Sequence, residues 1–267
     1  MTRYLFLIVF IFNSFSYAKL NIIVSILPQQ SFVNAIGKEK VNTTLMVKQG
    51  TSPHSYEPKP SQMKDISNAD IYLAIGVEFE QTWLQKFANQ NKNMNIIDIS
   101  QNIKKNTKKL DPHIWTSPKN TKVIAKNILD TLVKFDVENK QYYTTNYNAF
   151  IKLIEQTDKN IKTILQNTPK NSKFMVFHPA WGYFAKDYNL IQMAIEVDGK
   201  NPKPKAIITL IKEAKVQKVK AILTAPEFST KTAKQIAKAV GVPVIQISPL
   251  NKNWSQNLEN LAQAIAN

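Results

Sequence analysis

Three histidines carry the chemistry that can be read from this chain. His54, His113 and His178 are its whole histidine complement, and it contains no cysteine. His54 sits in Pro53-His54-Ser55-Tyr56-Glu57-Pro58, His113 in Asp111-Pro112-His113-Ile114-Trp115, and His178 in Phe177-His178-Pro179-Ala180-Trp181-Gly182. Neutral imidazole is a common nitrogen donor to Zn²⁺, and three imidazoles plus one further donor make a tetrahedral set. The bland alternative is three unrelated polar loop histidines. Without cysteine there is no thiolate metal site, cysteine nucleophile, disulfide framework or lipid-modified N-terminal cysteine. No Gly-x-Ser-x-Gly elbow is present, and the six glycines form no phosphate-binding loop.

The elements that must position these side chains follow from hydrophobic patterning. Short apolar runs alternate with helical periodicity, which predicts βα units and parallel sheets. Strands are expected at Leu20–Ile26, Val41–Val47, Asp70–Ile75 and Asn95–Ile99, and again at Lys173–Phe177, Leu190–Glu196, Ala221–Thr224 and Val242–Ile247. Ser117 as cap and Pro118 as first residue open a helix reaching about Lys134. A helix after Ser229 is expected to stop at Gly241. Between the halves, Glu138 to Gln166 carries a helical apolar stripe with neither Gly nor Pro. The predicted fold class is therefore α/β. Two similar lobes, each a mainly parallel four-stranded sheet flanked by helices, are joined by one long rigid helix. The boundaries are 19–136 for the first lobe, 137–168 for the linking helix and 169–267 for the second lobe. Each histidine then follows the C-terminal end of a strand, where open α/β sheets bind ligands.

Composition narrows the function classes. The chain has 267 residues and a formal net charge of +16. Arg3 is the only arginine; the other basic residues are lysines spread along the sequence. Arginine supplies the planar fork that reads bases and clamps phosphates, so nucleic acid is not an expected partner. Residues 1–18 read as a cleavable signal peptide. Arg3 provides a basic start, Leu5–Phe12 is an apolar core, and Ser16-Tyr17-Ala18 offers small residues before a cut at Lys19. That apolar run is too short to cross a bilayer, which takes about 20 residues. Export without a lipid anchor points to a Gram-negative periplasm.

The three histidine segments, together with Ala69-Asp70, Gly76, Glu80 and Trp83-Leu84, resemble the zinc/manganese solute-binding proteins of ABC transporters (cluster A-I, zinc-uptake type). The resemblance spans nearly all of residues 19–267. It implies a metal held between two lobes by His54, His113 and His178, delivery to a membrane permease, a monomeric carrier and no enzymatic activity. Two departures stand out. Many members place Asp as fourth ligand just before Pro-Leu, whereas this chain has Ser248 in Ser248-Pro249-Leu250; water, Glu57 or Ser248 is left for the fourth position. The His- and acid-rich loop of many zinc-uptake members is replaced by the basic stretch 102–109. Asp111 or Glu57 is expected to orient the imidazoles, and Trp115 and Trp181 either wall the site or pack in the lobe cores. Three nitrogen donors favour Zn²⁺ over Mn²⁺ or Fe²⁺. The rivals are a Mn²⁺/Fe²⁺ carrier of the same class, a three-His zinc hydrolase and a surface adhesin.

Overall fold

The structure is a computed structural model, and it describes residues 19–104, 111–196 and 200–267. The expected signal segment, and the basic stretch from residue 105 onward, lie outside the described residues. Seventeen strands and α-helices, among the described residues, follow one another as two βα series around a long helix. The first series is β1 (Leu20–Val24), α1 (Leu27–Gly37), β2 (Val41–Leu45), α2 (Pro60–Ser67), β3 (Ile71–Ala74), α3 (Glu78–Gln90), β4 (Asn95–Asp98) and α4 (Pro118–Phe135). Helix α5 (Lys140–Ile164) follows. The second series is β5 (Lys173–Val176), α6 (Gly182–Asp187), β6 (Ile191–Ala194), α7 (Pro204–Val216), β7 (Ile222–Thr224), α8 (Lys231–Val240), β8 (Val244–Gln246) and α9 (Trp254–Ala266).

Each series folds into a four-stranded, all-parallel sheet, with orders β2-β1-β3-β4 and β6-β5-β7-β8. The two orders are the same when counted from each sheet's first strand. Central strands are sealed on both faces: Ile71, Tyr72, Leu73 and Ala74 of β3 are all buried. Edge strand β4, with Asn95 and Asp98 exposed, is not. That contrast is expected of a parallel sheet covered by helices. All eight strands fall inside the stretches that the sequence predicts, and each is shorter. The trimmed residues, such as Ser25, Ile26, Met46, Val47 and Ile75, are buried like strand residues but already turn toward the next element.

Local signals set the helix ends. Ser117 Oγ accepts from Asn120 N at 3.1 Å, with Pro118 in the first helical position of α4. Gly241 ends α8 in the left-handed region, at φ 87°, where a Cβ would be strained. Helix α5 has 25 residues and runs roughly 37 Å at 1.5 Å per residue. Its buried stripe of Tyr143, Asn146, Phe150, Ile154, Thr157 and Ile161 packs against α1, α4 and α9.

The main hydrophobic core does not stop at the lobe boundary. It joins first-half residues such as Ile22, Leu73 and Trp115 to Phe174, Val176, Trp181 and Phe184 of the second half. A smaller cluster, including Met175, Ile195, Ile222 and Ile236, lies on the other face of the second sheet. The last helix also returns to the first half. Phe32 and Trp254 meet edge-to-face at 5.7 Å, and Ser31 Oγ donates to Lys252 O at 2.9 Å. Two indoles exchange backbone bonds. Trp115 Nε1 donates to Pro249 O at 2.8 Å, and Trp254 Nε1 donates to Trp115 O at 2.7 Å. No helix among the described residues is long and apolar enough to cross a membrane.

Candidate metal centre

The three histidines lie on the segments that follow the C-terminal ends of β2, β4 and β5. His54 follows β2 on a 3-10 turn, Pro53–Ser55, whose cap Ser52 Oγ accepts from His54 N at 3.3 Å. His113 follows β4 and caps the 3-10 turn Ile114–Thr116. Asp111 Oδ1 accepts from both the backbone N of His113 at 3.0 Å and its ring Nδ1 at 2.8 Å, so one carboxylate fixes the turn and the ring together. His178 stands two residues beyond β5.

Every imidazole has a carboxylate on the same ring nitrogen. Nδ1 of His54 lies 2.8 Å from Glu78 Oε1, that of His113 2.8 Å from Asp111 Oδ1, and that of His178 2.8 Å from Glu196 Oε1. An ionised carboxylate only accepts, so each Nδ1 carries the hydrogen and each neutral ring is left with a bare Nε2. The three Nε2 atoms then face one another. His54 and His178 approach to 2.9 Å, His178 and His113 to 3.3 Å, and the three rings offer donor atoms that all lie within 4.8 Å of one another. Two lone pairs cannot hydrogen-bond, so these short separations are repulsive unless a cation sits between them. Tetrahedral Zn²⁺ with bonds of about 2.0–2.1 Å sets its donors about 3.3 Å apart. The cluster therefore fits a small dication.

The electrostatics favour a neutral His178 ring. Burial holds the His178 pKa below the usual imidazole range, and the neighbouring His113 and His54 add to that, against the pull of Glu196. Burial, the largest single influence, would raise the Glu78 carboxyl; its hydrogen bond and charge attraction to His54, with its own backbone N–H and His113, together hold it low.

Both halves build the surroundings. A Cβ on Gly182 would meet Asp111 Oδ2 at 2.7 Å, so the start of α6 lies against the carboxylate that aims His113. Tyr183 OH donates to Asp111 O at 3.1 Å. Phe228 stacks on the His178 ring with centroids 4.4 Å apart and planes at 19°. Pro53, Glu227, Phe228, Pro249 and Leu250 complete the wall around the imidazoles.

The structure brings together all three histidines singled out in the sequence. Asp111 orients His113 as expected, while Glu57 is exposed on its loop. Ser248 lies near the cavity, but its hydroxyl donates to Glu227 Oε1 at 2.8 Å and accepts from Leu250 N at 3.0 Å. Trp115 is a core residue, 1% exposed, and also faces His113 with centroids 5.3 Å apart. Trp181 is likewise buried. Sequence reasoning missed Glu78, Glu196 and Glu227. Each stands two to four residues past a strand end, after β3, β6 and β7 respectively, and an inventory of acids at those positions finds them.

Comparison with known proteins places this geometry in a family. The family model for zinc-uptake complex component A, periplasmic (ZnuA), matches residues 22–267. The chain belongs to this family. Among curated relatives, the high-affinity zinc uptake system protein ZnuA of Bacillus subtilis is 28% identical over 244 residues, covering 84% of this chain and 76% of the relative. Zinc-binding protein AdcA of Streptococcus pyogenes is 28% identical over 262 residues, and there the chain spans about half of the relative's length (50%). A crystal structure of ZnuA superimposes with a TM-score of 0.89 at 41% identity, covering 93% of this chain and 98% of that one. The laminin-binding protein Lmb of Streptococcus agalactiae, described as having adhesin and metal-transporting activity, gives a TM-score of 0.81 at 25% identity, covering 92% and 99%. The ZnuA family consists of periplasmic metal-binding components of ABC-type uptake systems, not enzymes.

Proposed function

We propose that this protein captures Zn²⁺ with His54, His113 and His178 and delivers it to an ABC permease. The observation that carries this reading is the convergence of three imidazole Nε2 atoms, each ring locked by a carboxylate on its Nδ1. Nothing has to deprotonate for the rings to bind, and no tautomer has to change. Three nitrogen donors suit Zn²⁺ better than Mn²⁺, which prefers oxygen. Residues 1–18 direct export, 19–136 and 169–267 act as the two metal-binding lobes, and 137–168 is the stiff connection. Calorimetric titration of the metal-free protein with Zn²⁺ and with Mn²⁺ at pH 7.5 tests the reading. Tighter binding of Zn²⁺ is expected; preference for Mn²⁺ overturns the choice of metal, and no binding of either overturns the carrier assignment.

A further inference from the structure

Three imidazoles leave one position of a tetrahedral Zn²⁺ to be filled. Building on the three-histidine reading above, we propose that Glu227 is the fourth donor, with Ser248 as the residue that positions it. Glu227 stands three residues beyond β7 and lines the same cavity as the three imidazoles. Its two oxygens differ. Oε1 accepts from Ser248 Oγ at 2.8 Å, whereas Oε2 is buried and has no hydrogen-bond partner among the described residues. A buried carboxylate oxygen without a partner is unfavourable, and a nearby cation removes the penalty. The loop is held where this matters, because the next residue, Phe228, is the one stacked on His178.

The other side chains near the fourth position are less suited to it. Ser248 already uses its hydroxyl proton on Glu227 and a lone pair on Leu250 N. A neutral hydroxyl is also a weaker partner for a dication than a carboxylate. Glu57 is exposed and does not line the cavity. The donors already within 4.8 Å of one another are the imidazoles, so Glu227 joins them by turning its unpartnered Oε2 toward the metal while Ser248 keeps hold of Oε1. Each half of the molecule then supplies two donors, His54 and His113 from the first and His178 and Glu227 from the second.

The test uses the full-length protein loaded with Zn²⁺ for affinity, by chelator competition, and with Co²⁺ for its visible absorption bands, which report the donor set directly. Glu227→Gln is expected to weaken Zn²⁺ binding by about 10-fold or more, to shift the Co²⁺ bands and to leave the far-ultraviolet circular dichroism unchanged. Ser248→Ala is expected to lower affinity by less than about 10-fold and to keep the wild-type Co²⁺ spectrum. If Glu227→Gln is misfolded, Glu227→Asp replaces it, with a smaller band shift expected. Unchanged Co²⁺ bands in the Glu227 variant overturn the proposal, whether or not affinity falls, since a loss without a spectral change is a through-space charge effect. His178→Ala separates the two levels of inference. If it loses Zn²⁺ binding while Glu227→Gln is silent, only the fourth-donor assignment fails; if His178→Ala is also silent, the three-histidine reading fails.

Discussion

His54 and His113 come from the same sheet, yet they are held very differently. His113 is 5% exposed, and Asp111 grips both its backbone and its ring, backed by Gly182 and Tyr183 from the other half. The His54 side chain is 28% exposed, and that of its partner Glu78 is 38% exposed. His178 belongs with His113: its side chain is 9% exposed, and that of Glu196 is 5% exposed. Two of the imidazoles are thus set into the core, and the third is presented by a surface turn. An ion pair in water is screened and contributes little, whereas the same geometry in a dry setting orients a ring strongly. The buried pair defines the site, and His54 completes it.

Substitutions should expose that inequality. His113→Ala and His178→Ala are expected to have the largest effect, weakening Zn²⁺ by more than about 100-fold, beyond the range for an outer carboxylate. His54→Ala should lose less, and competition titrations that rank all three equally would break the comparison. Acidification comes next. An ordinary imidazole, with pKa about 6.5, is about 90% protonated at pH 5.5, so binding should be at least about 10-fold weaker there than at pH 7.5 by calorimetry. The sign for His178 is explicit. Its folded pKa is lowered, so its share of the loss falls at lower pH than for a free ring. The unfolded chain takes the proton more readily, so metal-free stability should also fall as pH drops through the imidazole range. Equal zinc affinity at the two pH values would exclude three neutral imidazoles.

Among the orienting carboxylates, Glu196→Ala should weaken zinc by about 10- to 100-fold, and Glu78→Ala by less than about 10-fold, because the second pair is wetter. The reverse order in affinity measurements would mean that burial is not what distinguishes the two sites. Gly182→Ala is the smallest expected effect. Its Cβ displaces Asp111 Oδ2 while Oδ1 can keep its bonds, so a loss of less than about 10-fold is anticipated. A wild-type affinity would show that the Asp111 turn accommodates the methyl group.

Much of this arrangement is legible in the chain. The strands announce themselves as apolar runs, and α5 as an uninterrupted stripe, because burial on both faces of a sheet or one face of a helix leaves a direct pattern. The histidines are legible because they are rare and each follows a strand. The carboxylates are not. Glu196 and Glu227 are ordinary acids until the parallel pairing of β5 with β6 and of β5 with β7 brings their loops beside His178, and Glu78 is one until the loop after β3 meets His54. Lateral neighbours in a sheet are set by strand order, which periodicity does not report. The return of α9 to the first half is hidden for the same reason: its stripe of Leu258, Leu261, Ala262 and Ile265 reveals a buried face but not which surface covers it.

That return has a consequence for how the molecule is made. The Trp115–Pro249 and Trp254–Trp115 bonds join residues 134 and 139 positions apart in the chain. The wall beside His113 therefore stays unfinished until the final helix exists. Contacts that distant slow folding, because the loop between them must close first. A chain emerging from its N-terminus first has both of its first two histidines long before it has the groups that fix their surroundings. Metal competence arrives late, as a property of the finished protein and not of its first half.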